Sequence, residues 1–360
     1  MDSFIYASSP SRVIFGRGSI TTLGEELKRL GKEKPLFVTT PRGTQTIPEL
    51  EQILTTASLA SAGVFGEATL HTPVEITAKA LEYLHAVAPD CIVSFGGGSA
   101  VGLGKALSVR TGLPHVSVPT TYSGSEMTGS LGETRDGRKT TRSEAGIRPA
   151  VVIYDVDLTL SLPVATSATS GVNAIAHAVE ALYAPDKNPI IEIIALEGIK
   201  ALAAALPAII SSPADIEARS KALYGAWLCA TCAGSTRMGL HHKLCHTLGG
   251  SFGLPHAETH TIVLPHSIAY NAPSVPDAMG KLTGVLPGSD GDAIRGLNLL
   301  LKKLKVKTGL KDFGMKEDDV PKAAEIAMTS PYANPREIEL KSLTETIRRC
   351  WAGEEARVDL

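Results

Sequence analysis

The chain has 360 residues, 43% of them apolar, enough to bury a large core and long enough for two domains. With 35 basic and 37 acidic side chains it lacks the footprint of a nucleic-acid or acidic-membrane binder, which leaves small molecules and further copies of itself as expected partners. An acid at position 2 and no unbroken apolar run argue against a secretory signal, and Glu192, Glu197, Lys200 and Pro207 make the greasy stretch 190–210 read as too polar for a membrane span, so a cytoplasmic location is expected.

Over the first 160 residues, short β-branched runs at 12–15, 35–39, 91–95, 115–118 and 151–154 alternate with helical segments. That alternation predicts an α/β domain, residues 1–160, with a mainly parallel sheet and crossover helices. The run Cys91–Phe95 leads into Gly96-Gly97-Gly98-Ser99 ahead of a helix expected from Val101 to Arg110. Three glycines let backbone approach a pyrophosphate, and Ser99 with the free N–H groups of the helix start can bind its oxygens. Neither common glycine-loop signature is met, because Val101 stands where a third Gly belongs and Ala106 follows Gly104-Lys105 in place of Ser or Thr. A second loop, Pro119 to Glu126, offers Thr120, Thr121, Tyr122, Ser123 and Ser125 after another strand, at the sheet end where open α/β folds place ligands.

From residue 161 to 360 the texture becomes helical and all-α, with Ala- and Leu-rich stretches at 174–184, 189–206, 216–233 and 294–308. A short junction near 158–169 and a ligand cleft beside it are expected. The five cysteines are too scattered for a disulfide framework, and Cys229 and Cys232, though spaced like a redox pair, fall in a helical stretch that points to a structural role. Seven of the ten histidines lie between Ala174 and Asn271. His242 and His246, four apart, share one helix face, His256 follows a Gly-rich break, and His177 comes from an earlier helix. One such imidazole is compatible with a satisfied core; four together point to a metal or acid–base site, with at least one titrating near neutrality.

Taken in order, GGGS, PTTYSGSE, SGVNAIAHAVEALY and GLHHKLCHTLGGSFGLPHAETH give the chain a nearly full-length resemblance to the iron-containing alcohol dehydrogenase family. The resemblance implies a Rossmann-like N-terminal domain binding NADH or NADPH, a helical C-terminal domain, reduction in the cleft between them, and a homodimer. Metal-using members hold their ion with an Asp and three His, and the matching positions are Asn173, His177, His242 and His256. An amide in place of the carboxylate removes charge attraction, so a tightly bound metal is not expected. Together with Gly102 in the glycine loop, Asn173 resembles a branch of the family that reduces the double bond of an unsaturated keto diacid. The alternative is a metal-dependent alcohol or polyol dehydrogenase.

Thr39, Thr40 and Arg42 occupy the region where NAD-preferring members carry an acid for the adenosine ribose, which leaves room for the 2′-phosphate of NADPH. Lys139 matches a family lysine near the cofactor. By the same resemblance His246 is the expected proton donor, with His242, His256 and His177 stabilising an oxyanion. A dicarboxylate substrate needs cationic partners, for which Lys243 and Arg237 are candidates, with hydrogen bonds from Tyr122 and Ser123.

Overall fold

The computed structural model describes residues 11–135, 138–329 and 332–360 with positions 4 and 6, the side chains of 138, 139 and 145 excepted. Among the described residues the strands are β1 (Arg12–Gly16), β2 (Pro35–Val38), β3 (Gly63–Phe65), β4 (Cys91–Gly96), β5 (His115–Pro119), β6 (Ser130–Arg135), β7 (Arg138–Ser143) and β8 (Val151–Asp155). The chain divides into two compact units, Ser9–Leu162 and, for nearly all the rest, Pro163–Leu360.

In the first unit, β2, β4, β5 and β8 are buried at every position, as strands covered on both faces must be. They join β1 and β3 in a six-stranded parallel sheet of order β1-β8-β5-β4-β2-β3. The helices are α1 (Leu23–Arg29), α2 (Ile47–Thr56), α3 (Val74–Val87) and α4 (Gly98–Thr111). Alternation along the strands divides the core in two. Phe37, Val93, Val116 and Ile153 meet Leu23 and Leu27 of α1 and Leu50 and Leu54 of α2, while Leu36, Val38 and Ile92 meet Ala80 and Leu84 of α3 and Leu103 and Leu107 of α4. β6 and β7 pair as a separate antiparallel hairpin.

After β2 the chain runs outward to β3 and returns on the other side of β2 as β4, so the carboxyl ends of β2 and β4 flank a topological switch point. Thr39 Oγ1 closes that point by donating to Phe95 O at 2.7 Å.

The second unit holds α5 (Val164–Ala181), α6 (Pro189–Ser211), α7 (Ile216–Ala233), α8 (Leu240–Phe252), α9 (His256–Asn271), α10 (Pro276–Thr283), α11 (Ala293–Leu304), α12 (Asp319–Met328) and α13 (Leu340–Ala352). Asn188 and Asp215 cap α6 and α7 by accepting from Ile191 N and Ala218 N, each at 3.1 Å. α5 packs against α6, α7 and α9, and is almost wholly buried from Ser167 onward. One expectation is corrected here. α6 is long and apolar enough to cross a bilayer despite its charges, yet half of its most apolar window is buried within the protein, as befits a core helix. Cys229 and Cys232 lie on α7, both fully buried, and burial raises both thiols above the ordinary range, Cys232 to about 12, so the pair is structural.

Candidate active site

In the first unit the glycine loop and the hydroxyl loop are brought together. A Cβ on Gly97 would lie 2.8 Å from Thr121 Cγ2, so at Gly97 the two loops leave space for backbone alone, and Gly98 stands in contact range of Ser123 Oγ. Gly96 adopts φ +139°, a turn open to glycine, and Thr120 N donates to Gly96 O at 3.0 Å. α4 begins here with Gly97 as N-cap and no side-chain cap, so its first N–H groups and dipole face outward where a diphosphate would sit. Thr39 is buried in its bond to Phe95, Thr40 Oγ1 accepts from Gly43 N at 3.2 Å, and Arg42 is exposed. These residues, with Ser99 beside them on α4, fit a nicotinamide dinucleotide.

Two features of this unit escaped the sequence reading. Lys105 is fully buried, and its ammonium donates to Ser125 O, to Thr128 Oγ1 at 2.9 Å and to Ser130 O at 3.0 Å, bolting the hydroxyl loop to α4. Burial lowers its pKa to about 7 against the opposing pull of Glu126. Glu126 itself is buried, accepts from Tyr154 OH at 2.8 Å, and is pushed up by desolvation. Tyr122 is fully buried, so its place is in the packing of the loop, and Ser123 is part-exposed with its hydroxyl oxygen buried. Lys139 stands opposite Thr134 in the hairpin, and its side chain lies outside the described residues.

In the second unit α5, α8 and α9 gather six imidazoles. His177 stacks on His242 with ring centroids 4.9 Å apart; His246 lies 6.0 Å from His242; His260 lies 5.0 Å from His242 and 4.3 Å from His256. The expected four are therefore neighbours, joined by His241 and His260. Asn173 is one helical turn before His177 on α5 and is buried.

Hydrogen bonds fix how these rings face. Glu180, buried on α5, accepts from His242 Nδ1 at 2.5 Å and from the N–H groups of His241 at 2.8 Å and Gly239 at 3.1 Å. It caps α8 and orients His242, whose Nε2 is buried without a hydrogen-bond partner. Ser267 donates its hydroxyl to Leu264 O at 3.0 Å and so accepts from His241 Nδ1 at 3.2 Å. His241 Nε2 must then accept from His260 Nδ1 at 2.9 Å, leaving His260 Nε2 as a buried lone pair. Burial and the neighbouring imidazoles push His177, His241 and His260 well below the usual histidine range, so these three do not titrate near neutrality. His246 is exposed and His256 half-buried.

A metal held at the family positions would need convergent donors, with neighbouring ligand atoms roughly 3.5 Å apart around bonds of about 2.1 Å. Among the described residues, the trio of His, Cys, Asp or Glu whose ligand atoms lie mutually within 4.8 Å is His241, Cys245 and His260, not His177, His242 and His256. That trio is engaged in its own hydrogen bonds, Cys245 Sγ lying 3.6 Å from His241 Nε2. With Asn173 supplying an amide, the family positions carry no carboxylate, which removes one charge attraction for a cation there.

The basic candidates separate. Arg237 is ion-paired with Asp186 at 3.3 Å on the surface, through both its guanidinium and its backbone N–H. Lys243 is partly buried, with Nζ 5.7 Å from the Tyr332 ring centre.

A parallel sheet with a glycine-lined helix start, and a helical unit with clustered imidazoles, define a dinucleotide-dependent oxidoreductase. The model of the iron-containing alcohol dehydrogenases matches residues 10–156, and that of the C-terminal domain of the Fe-containing alcohol dehydrogenase family matches residues 167–351; the chain belongs to this family. It is 46% identical to a maleylacetate reductase of Rhizobium sp. strain MTP-10005 over 98% of this chain and 99% of that one. Among solved structures, maleylacetate reductase from Agrobacterium tumefaciens superposes with a TM-score of 0.92 at 46% identity, covering 99% and 100% of the two chains. A putative alcohol dehydrogenase from Ralstonia eutropha JMP134 gives 0.96 at 46% identity, covering 99% of each.

Proposed function

We propose that this chain reduces the carbon–carbon double bond of maleylacetate, giving 3-oxoadipate in the breakdown of aromatic compounds. The observation that carries the reading is the cluster itself: a buried amide at Asn173 among imidazoles, with the Nε2 atoms of His242 and His260 buried and without hydrogen-bond partners and exposed His246 beside them. Such a pocket is built to move protons. The substrate is an enone flanked by two carboxylates, and NADH or NADPH, when bound, supplies hydride to the alkene carbon β to the ketone.

Gly97, Gly98 and Ser99 would hold the diphosphate, and Thr40 and Arg42 the adenosine ribose, where exposed Arg42 also suits a 2′-phosphate; Thr39, its hydroxyl spent on Phe95 O, fixes the strand end beneath them. Thr120, Thr121 and Ser125 would line the same loop. Hydride addition leaves an enolate on the substrate, and imidazole N–H groups stabilise its oxygen. His246 donates the proton to the α carbon and recovers one from water. His242, oriented by Glu180, with His177 and His256, shapes the pocket around the donor. One NAD(P)H and one proton are consumed per double bond.

The test is NADH consumption with maleylacetate before and after exhaustive chelation. Persistent activity supports the reading; activity lost on chelation, restored by iron or zinc and indifferent to unsaturated keto diacids would establish the metal-dependent alcohol dehydrogenase reading in its place. Comparable efficiency with NADH and NADPH is expected, and an absolute preference for NADH would count against the role of Arg42. We place the enzyme in the cytoplasm and propose a homodimer; light scattering of the purified protein checks the latter, a monomer mass overturning it.

A further inference from the structure

We propose that Lys243 and Tyr332 together bind one terminal carboxylate of the substrate. This rests on the keto-diacid reading above and assigns Tyr332 a part in it. Lys243 follows His242 directly and precedes His246 by three residues, so its stem and the proton donor share one side of α8. Its ammonium lies 5.7 Å from the centre of the Tyr332 ring, and it makes no hydrogen bond or ion pair to any described residue. Tyr332 comes from the segment after α12, and its hydroxyl is buried with no hydrogen-bond partner among the described residues.

Burial, with Tyr270 and Glu180 nearby, raises the phenol to about 12, which keeps it protonated and therefore a donor. A buried donor without an acceptor and a half-buried cation without an anion are each costly alone. A carboxylate placed between them satisfies both.

The segment is held ready for this. Asn334 and Asn271 exchange amide hydrogen bonds at 2.8 and 2.9 Å, and Arg336 donates to Tyr270 O at 2.7 Å while lying over the Tyr270 ring at 4.4 Å. Ala333 O approaches to 3.1 Å of the point where Gly239 would carry a Cβ, so a larger residue at the start of α8 would displace the segment. The other charged groups nearby are engaged: Arg237 with Asp186, and Glu180 with His242 and two backbone N–H groups. Lys243 is thus a cation on the His246 side of α8 with no anionic partner among the described residues.

The experiment compares the unmodified protein with Tyr332→Phe, Lys243→Met and Lys243→Arg, measuring KM and kcat for maleylacetate, the competitive inhibition constant of adipate, the dissociation constant of NADH, and the melting temperature. Tyr332→Phe and Lys243→Met should each raise the KM and the adipate constant about ten- to a hundredfold, the scale of one charge-assisted hydrogen bond, with NADH binding unchanged and Lys243→Arg close to the unmodified protein. An adipate constant within twofold of the unmodified value in folded Tyr332→Phe and Lys243→Met, from an enzyme that reduces maleylacetate, overturns this assignment alone. Failure of the unmodified protein to oxidise NADH with maleylacetate sinks the function itself.

Discussion

His246 differs from its neighbours in one respect that matters for turnover: water reaches it, while His177, His241 and His260 are sealed and held neutral. A donor must be reprotonated in every cycle, so His246→Ala should lower kcat about a hundredfold or more while leaving NADH affinity intact, measured by stopped-flow reduction and fluorescence titration. Normal turnover in that variant would remove His246 from the chemistry. Glu180→Gln keeps the volume but weakens the grip on His242, and a drop in kcat of about tenfold or more is expected from steady-state rates. The histidines were legible because i, i+4 spacing is a local property. Glu180 was not, since its partners lie about sixty residues further along and meet it through tertiary packing alone. A signal was nevertheless present: Asn173, His177 and Glu180 recur at i, i+4 and i+7, one stripe of α5.

At the scale of elements, the two loops of the first unit are one device because Lys105 fastens the second to the helix that carries the first. Lys105→Met removes the buried ammonium from Ser130 O, while Ser125 O and Thr128 Oγ1 keep their 3.1 Å bond to each other. It should cost about 3 kcal/mol by urea unfolding and raise the KM for NADH, and an unchanged KM would show that the loop holds its shape unaided. The five apolar strands were readable from their β-branched runs, and all five appear within a residue at either end. β3 was missed because three residues carry no periodicity, and β6 and β7 because SLGETR and RKTTRS are polar runs with no alternation to betray a strand. Helix ends also shifted: α5 starts at Val164, directly after Pro163, and α11 stops at Leu304, where Lys305 turns left-handed at φ 53°.

For the molecule as a whole, acid should be destabilising well above the carboxylate range. Burial lowers His115 to about 3 and His266 to about 4 from an ordinary value near 6.5. Below that ordinary value the unfolded chain binds protons that the native state refuses, so stability falls as pH drops, with the loss ending near pH 4 for His266 and near 3 for His115. Between pH 7.5 and 5.5 the two together should remove about 3 kcal/mol, read from urea midpoints, and His115→Asn should flatten the slope. A pH-independent midpoint would show that both rings ionise without penalty in the native state. The same economy of buried groups is concentrated in Glu180, which secures the first turn of α8 and the tilt of His242 with a single carboxylate. When that turn frays the imidazole loses its bearing in the same movement, so on warming the enzyme should fall silent some degrees before its helices melt.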